Sequence, residues 1–276
     1  MAPKIWFITG TSSGFGQAFA EYALAQGYNV VATARRVETL EGLVAKAPDR
    51  VLAVKLDVTH PEDAKAAVDA AIERFGRIDV LVNNAGYGIV GAFEETPDEE
   101  LRAQLETNFF GAMNVTRAAL PTLRAQRSGA IVNISSLGGQ LSFAGFSAYS
   151  ASKFALEGAS EALVLEVASF GIKVMIVEPG QFRTAFAGAG LRHMPQLDAY
   201  RDAVGGTREF AHQMDGTQAG DPAKAAAAVD AALASDRTPL RLQLGADAVD
   251  AVREHAEGLL KDLKVWEATG RGTAFE

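Results

Sequence analysis

Seven short runs of β-type residues, at 4–8, 28–33, 51–56, 79–82, 130–134, 173–177 and 240–244, alternate with longer stretches of helical period. Runs that stay apolar without alternation are strands covered on both faces, and strands separated by helical crossovers pair in parallel. The chain is therefore expected to form an α/β, doubly wound, roughly seven-stranded parallel sheet with helices on both faces. Right-handed crossovers bring the carboxyl ends of the strands to one edge, where open sheets of this kind take their ligands. With 276 residues, 48% of them hydrophobic, the composition supports one large core and one domain over 1–276.

The first run ends at Ile8 and enters Thr9, Gly10, Thr11, Ser12, Ser13, Gly14, Phe15 and Gly16, followed by a helix-like stretch over 17–26. Gly10 permits a tight turn and Gly14 lets backbone approach a phosphate. Gly16 allows close packing of helix on strand, and the helix amino end offers free N–H groups to an anion. This strand, glycine turn and helix predict a dinucleotide site. Such folds commonly place an acid about twenty residues past the glycines to hold the adenosine ribose 2′-hydroxyl. Here that place is Ala34, followed by Arg35 and Arg36. A guanidinium suits a 2′-phosphate better than a neutral hydroxyl, so NADP(H) is the expected cofactor, with Arg35 the favoured contact and NAD(H) possible. The competing readings are two solvated arginines, or Glu38 turning back to a ribose.

Tyr149 and Lys153 lie four apart in a predicted helix over 148–170 and so share a face. A phenol ordinarily titrates near ~10, and an adjacent ammonium favours the phenolate, moving the group towards neutral pH and acid–base use. Ser136 follows the run 130–134, so its hydroxyl is expected at a strand's carboxyl end, within reach of a substrate oxygen. Asn108 is a buried amide that interrupts a helix, holds a water, or is simply a satisfied interior group.

These motifs occur in an order that resembles the short-chain dehydrogenase/reductase family, single-domain nicotinamide-dependent oxidoreductases with a Rossmann-like fold. The resemblance covers about residues 3–185. It implies a cofactor loop through Gly10, Thr11, Ser13, Gly14, Phe15 and Gly16, and an adenine contact from Asp57 and Val58. It implies a further cofactor segment in Asn84, Ala85 and Gly86 after Asn83, and a nicotinamide contact from Pro179, Gly180 and Thr184. Ser136, Tyr149, Lys153 and Asn108 match the family's catalytic set: Tyr149 exchanging the proton, Lys153 lowering its pKa and binding the nicotinamide ribose, Ser136 orienting the substrate oxygen, and Asn108 positioning water. The expected reaction is NADP(H)-dependent interconversion of a carbonyl and an alcohol. A non-catalytic NADP(H)-binding regulator is the alternative, weakened by the intact proton-transfer set. An epimerase or dehydratase of the longer sugar-nucleotide branch and an enoyl reductase fit the spacings less well.

Beyond Thr184 the chain offers Phe186, Leu191, Met194, Leu197, Tyr200, Phe210 and Met214 in a substrate-covering segment at about 185–220. With Tyr87, Phe143 and Phe146 these favour a hydrophobic ketone or alcohol. Gly205 with Gly206, and the stretch 216–220, read as loop punctuation. Asp221 and Pro222 start a helix, and an amphipathic helix is predicted over 247–266. Trp266 and Phe275 are expected to dock on their own chain or on a second subunit.

Net charge −8 provides no general attraction to nucleic acid or anionic membranes. The absence of cysteine excludes disulfides and thiolate chemistry. His60, His193, His212 and His255 are scattered in sequence, so no metal site is expected. No leader and no span long enough for a bilayer is visible, which gives a cytoplasmic expectation without membrane insertion. The family resemblance implies a homodimer or homotetramer.

Overall fold

In the first strand, β1 (Ile5–Ile8), every side chain is buried, as the uninterrupted apolar run requires. A computed structural model describes residues 3–275. It places β1 between β2 (Asn29–Ala34) and β4 (Val80–Asn83), with β3 (Val51–Lys55), β6 (Gly129–Ile134), β7 (Ile172–Pro179) and β9 (Arg241–Leu244) completing a parallel sheet of order β3-β2-β1-β4-β6-β7-β9. The reversal at β1 and β4 opens a crevice at their carboxyl ends, the expected ligand position in this topology. The Rossmann-like, doubly wound sheet of the sequence reading is therefore present.

Alternate side chains of β1 feed two cores. Trp6 and Ile8 pack with Phe19, Ala23 and Leu24 of α1 (Gly14–Ala25), with Leu43 of α2 (Glu41–Lys46) and with Val229 and Leu233 of α8 (Pro222–Ala234). Ile5 and Phe7 pack on the opposite face with α3 (Pro61–Phe75), α5 (Gly111–Gln126) and α6 (Ser147–Val167), through Ala67, Val115, Leu123 and Leu163. Helices with small and aliphatic residues on each face are what allow the strands to stay apolar throughout.

The chain leaves the sheet after β4 to form β5 (Gly88–Val90), which pairs in parallel with β8 (Leu191–His193) in a separate two-stranded sheet. After β5 comes α4 (Asp98–Leu105), and after β8 comes α7 (Arg201–Met214). Gly205 and Gly206 lie inside α7, correcting the loop reading. Arg208 and Val204 on the same helix are buried, and their packing outweighs roughly 1 kcal/mol of helix propensity lost per glycine. α8 starts where Asp221 accepts a hydrogen bond from the Ala223 amide at 2.9 Å, with Pro222 in its first turn. The last helix, α9 (Ala246–Arg271), is longer than its apolar pattern implied, and Trp266 and Phe275 are exposed and do not dock on their own chain.

Candidate active site

Gly10 and Gly14 have φ of +69° and +59°, a region that favours glycine. A methyl group at Gly16 would run into the Gly10 carbonyl, so each glycine of the turn has its own reason to lack a side chain. Asn84 locks the turn by donating from Nδ2 to the Thr9 and Gly10 carbonyls at 2.9 and 3.1 Å. The Thr9 hydroxyl in return accepts from the Asn84 and Ala85 amides, both at 2.9 Å. Thr11 ties the far side of the turn to β2, its amide and hydroxyl both donating to the Thr33 carbonyl. The turn is therefore held by strand ends on both sides. At the start of α1, Ser13 is the N-cap but makes no side-chain capping bond, and no acid occupies the first turn, an arrangement that leaves its N–H dipoles directed at an incoming anion.

Two cavities flank this turn. One, of about 510 Å³, is bordered by Ser13, Gly14, Gln17, Arg183 and Thr184. The other, of about 280 Å³, is bordered by Ser12, Ser13, Ala34, Arg35, Arg36 and Thr39. Predicted cofactor residues far apart in the chain meet here: a methyl added at Gly14 would sit 3.5 Å from Thr184. Phe15 packs against Phe182 with ring centroids 5.2 Å apart. The Gly180 amide is held by the Leu244 carbonyl at 2.9 Å, directly after the end of β7 at Pro179.

Asp57 lies past the end of β3 with its carboxylate engaged by the Thr59 hydroxyl and amide at 2.8 and 3.1 Å. Burial opposes its ionisation, but these hydrogen bonds hold the carboxyl below its ordinary range. Val58 is buried against Gly111 and serves α5 packing, with Asn114 donating to its carbonyl.

Ser136, Tyr149, Lys153 and Asn108 come together beyond the carboxyl ends of β4 and β6. Ser136 accepts from the Gly138 amide at 3.0 Å. Tyr149 is half-buried between Phe146 and Phe186, with centroid separations of 6.1 and 5.4 Å. Asn108 sits in a π-turn, Glu106–Phe110, that joins α4 to α5. This is the helix interruption foreseen for it. The wider turn lets its amide donate to the Tyr87 carbonyl at 2.9 Å and to the Ser152 hydroxyl at 3.0 Å, while its oxygen accepts from the Tyr87 amide at 3.1 Å. Gly86 provides the space, since a methyl there would lie 3.0 Å from that oxygen and 3.8 Å from Lys153 Nζ.

The electrostatics depart from the sequence expectation. Burial pushes the Tyr149 phenol up to about 12, with the Ser136 hydroxyl pulling the other way. Burial also brings the Lys153 ammonium down to about 8, against the nearby Glu157 carboxylate. Lys153 donates to the Ile134 carbonyl at 2.8 Å and lies 5.8 Å from the Tyr149 ring centre, so shared helical face does not by itself give the phenol a depressed pKa.

Glu157, one turn beyond Lys153, was not singled out in the sequence. It accepts from Ser135 at 2.7 Å and from Gln140, and pairs with Arg241 at 3.0 Å. Arg241 also reaches the fully buried Glu178 at 3.2 Å. The group braces the turn following Ser136, where Gly139 is pressed against the Glu157 carboxylate. Burial and the Glu157 charge push the Glu178 carboxyl up to about 7.

The segment at 185–220 lies against this site. Phe186 faces Tyr149, and Leu191 and Met194 are buried, but Leu197 and Phe210 point to solvent, so only part of the predicted apolar set faces inward. Arg208 anchors the segment through Glu95, at 2.7 Å, and through the Met194 carbonyl, at 2.8 Å. His193 and His212, far apart in sequence, stack at 4.2 Å. Among the described residues there is no group of three or more His, Cys, Asp or Glu placed to hold a metal, and no helix long and apolar enough to cross a membrane.

The short chain dehydrogenase family model matches residues 4–194. An oxidoreductase, BOA17, of Botryotinia fuckeliana is 43% identical over 98% of this chain and 99% of its own length. A 3-ketodihydrosphingosine reductase of Bacteroides thetaiotaomicron is 48% identical over 67% of this chain and 66% of its own. The crystal structure of a short-chain dehydrogenase from Streptomyces avermitilis superimposes with a TM-score of 0.94 at 53% identity, covering 99% of this chain and 100% of that one. At 25% identity, an alcohol dehydrogenase of Thermococcus sibiricus holds 5-hydroxy-NADP (TM-score 0.72, 88% and 96% covered) and a Burkholderia phymatum member holds NAD (0.82, 94% and 95%). A glycine turn held by Asn84, a Ser, Tyr and Lys gathered at the same sheet edge, and a family match through the whole of that arrangement lead to one assignment: the chain belongs to the short-chain dehydrogenase/reductase family of oxidoreductases.

Proposed function

We propose that the protein is an NADP(H)-dependent reductase or dehydrogenase that interconverts a hydrophobic ketone or aldehyde and its alcohol. The observation that carries this reading is the meeting of Ser136, Tyr149, Lys153 and Asn108 beside the glycine turn, at one edge of one sheet. The fit to a dinucleotide rests on three features: positive-φ glycines where backbone must come close, an uncapped helix start, and a cavity ending in two exposed arginines. Gly10 to Gly16 would hold the pyrophosphate, Asp57 and Val58 the adenine, Asn84 to Gly86 the adenosine side, and Pro179, Gly180 and Thr184 the nicotinamide end. Arg35, with Ser12, Ser13 and Thr39 around the same cavity, would hold a 2′-phosphate.

Bound there, the nicotinamide supplies or accepts the hydride. The chain's own residues manage the proton. Ser136 orients the substrate oxygen beside the Tyr149 hydroxyl, which gives or takes the proton. With its charge offset by the Ile134 carbonyl and the Glu157 carboxylate, Lys153 would share its donors between the phenol and a ribose. Asn108, tied to Tyr87 and Ser152, fixes the opposite wall and the path by which water restores the proton. Phe146, Phe186 and Met194 would exclude bulk water and favour an apolar substrate, and the name of the Bacteroides relative, a 3-ketodihydrosphingosine reductase, is in keeping with this.

Arg35→Ser tests the cofactor assignment. A charge-assisted hydrogen bond is worth roughly 1.5–3 kcal/mol, so NADPH should bind about 10- to 100-fold more weakly while NADH affinity stays level. Equal loss for both cofactors, or tighter NADH than NADPH binding by the parent protein, would reject it.

A further inference from the structure

We propose that α9 is an arm that docks on a second copy of this chain, the two arms crossing antiparallel along an apolar seam. The helix begins on its own subunit: Ala248 is fully buried and Asp247 accepts from the Gln181 amide at 2.7 Å. From residue 256 onward every described residue is exposed. At 1.5 Å per residue, the stretch 256–271 extends about 24 Å past that anchor. A solvated helix of this kind is expected to be polar all round. This one carries Leu259, Leu260, Leu263 and Trp266 at 58, 65, 64 and 66% exposure.

The spacing of its small and apolar residues identifies what covers them. Val249, Val252, Ala256, Leu259, Leu263, Trp266 and Gly270 recur at alternating intervals of three and four, the 3.5-residue repeat by which one helix packs along another. Leu260 and Val265, 65 and 68% exposed, stand beside this seam. The occupant is thus a helix with the same repeat, and the arm of a second copy supplies one.

Charge and size set the direction. Over 246–258 the helix has Asp247, Asp250, Glu254 and Glu257 against Arg253 alone, whereas over 259–271 it has Lys261, Lys264 and Arg271 against Asp262 and Glu267. Antiparallel crossing lays the acidic half of each arm on the basic half of the other and opposes the helix dipoles. In the register centred on residue 261, small Ala256 faces bulky Trp266 of the second copy and Leu259 faces Leu263. Arg253 and Glu267 flank the same side of the seam and meet across it. Parallel arms would set Asp262 against Glu267, like charges at the positions that select partners. The antiparallel pair is also isologous, as a two-fold dimer requires.

The native sequence has no cysteine, which makes disulfide trapping specific. Ala256→Cys and Trp266→Cys are made singly in the full chain and oxidised at micromolar concentration, alone and as an equimolar mixture. The mixture is expected to yield a covalent dimer on a non-reducing gel, while Ala256→Cys alone does not, its two sulfurs lying roughly 15 Å apart along the axis. Because Trp266→Cys removes part of the seam, Leu259→Glu/Leu263→Glu is measured separately by sedimentation. It should lower the solution mass by one association step, with Tm and NADPH binding unchanged because these side chains lie outside the body. A linked Ala256→Cys dimer would overturn the antiparallel direction. A monomeric parent protein, an unchanged mass in the Glu variant, or flotation of the parent protein but not the Glu variant with anionic vesicles would overturn the docking of a second copy.

Discussion

Replacing Arg208 with Met removes the cation that neutralises Glu95 beneath the segment at 185–220. The Glu95 side chain is fully buried and that of Arg208 is 10% exposed, with 2.7 Å between them. Glu95 also accepts from the Ala92 amide at 2.6 Å and the Leu197 amide at 2.7 Å. Burial resists its charge, and these amides with the guanidinium hold its carboxyl below the ordinary range. Breaking a buried pair on one side costs about 3–5 kcal/mol. Two amide donors remain, so the low end applies, near 3 kcal/mol. At roughly 2–4 °C per kcal/mol for chains of this class, cooperative loss would lower Tm by about 6–12 °C. The alternative route is local opening of α7, which would appear as faster hydrogen exchange and proteolysis confined to 185–220. Differential scanning calorimetry with hydrogen-exchange mass spectrometry distinguishes the two. Adding Glu95→Gln should recover part of the loss, since the amide oxygen still accepts a backbone bond and no unpaired charge stays buried. A single Arg208→Met variant within about 0.5 kcal/mol of the parent, the scale of a neutral surface change, with unaltered exchange, would refute the latch.

Stability should depend on pH through Glu178, whose folded carboxyl titrates at about 7 in place of 4.5. Between those values the folded chain keeps a proton that the unfolded chain has lost, so the contribution is full below 4.5 and declines as pH rises through about 7. Glu178→Gln should remove that slope and be the more stable form at pH 8, by at most about 3 kcal/mol; urea denaturation that kept the parent's slope would contradict it. At the glycine turn, Gly16→Ala drives a methyl into the Gly10 carbonyl and the Asn84 amide. Dinucleotide binding should be lost to fluorescence titration while circular dichroism retains the helical signal, and unchanged affinity would show that the turn tolerates the displacement.

What could be read from the sequence follows from how local each feature is. β1, β4, β6 and β7 are covered on both faces, so their apolar runs located them almost to the residue. The glycine turn was legible because each glycine answers to backbone only a few residues away. The site then followed from topology, since parallel strands deliver Ser136 and the Tyr149 helix to the edge where the turn lies. By contrast, β5 and β8 have three residues each, too few to show a period, and their pairing joins positions about a hundred apart. The Gly205–Gly206 pair was misread because a local helix-breaking signal yielded to the burial of Val204 and Arg208 on either side. The Glu157–Arg241–Glu178 group escaped notice because an isolated glutamate after Lys153 looks like a solvated residue until β9 folds against β7. The Tyr149 pKa was misjudged for a related reason: sequence spacing supplies the neighbouring ammonium but not the burial that opposes the phenolate.

The direct test of the proton-transfer assignment is NADPH oxidation with a panel of apolar ketones and aldehydes by the parent protein and by Tyr149→Phe, alongside cofactor titration. Removing one hydroxyl from a half-buried ring leaves the fold and the glycine turn in place, and a general acid contributes typically ~10²–10⁴-fold to the rate. Turnover by the parent protein that falls by at least ~10² in the variant, with NADPH affinity kept within a few-fold, is the predicted result. Equal turnover by the two proteins, or NADPH binding with no turnover of any carbonyl or alcohol by either, would contradict the account.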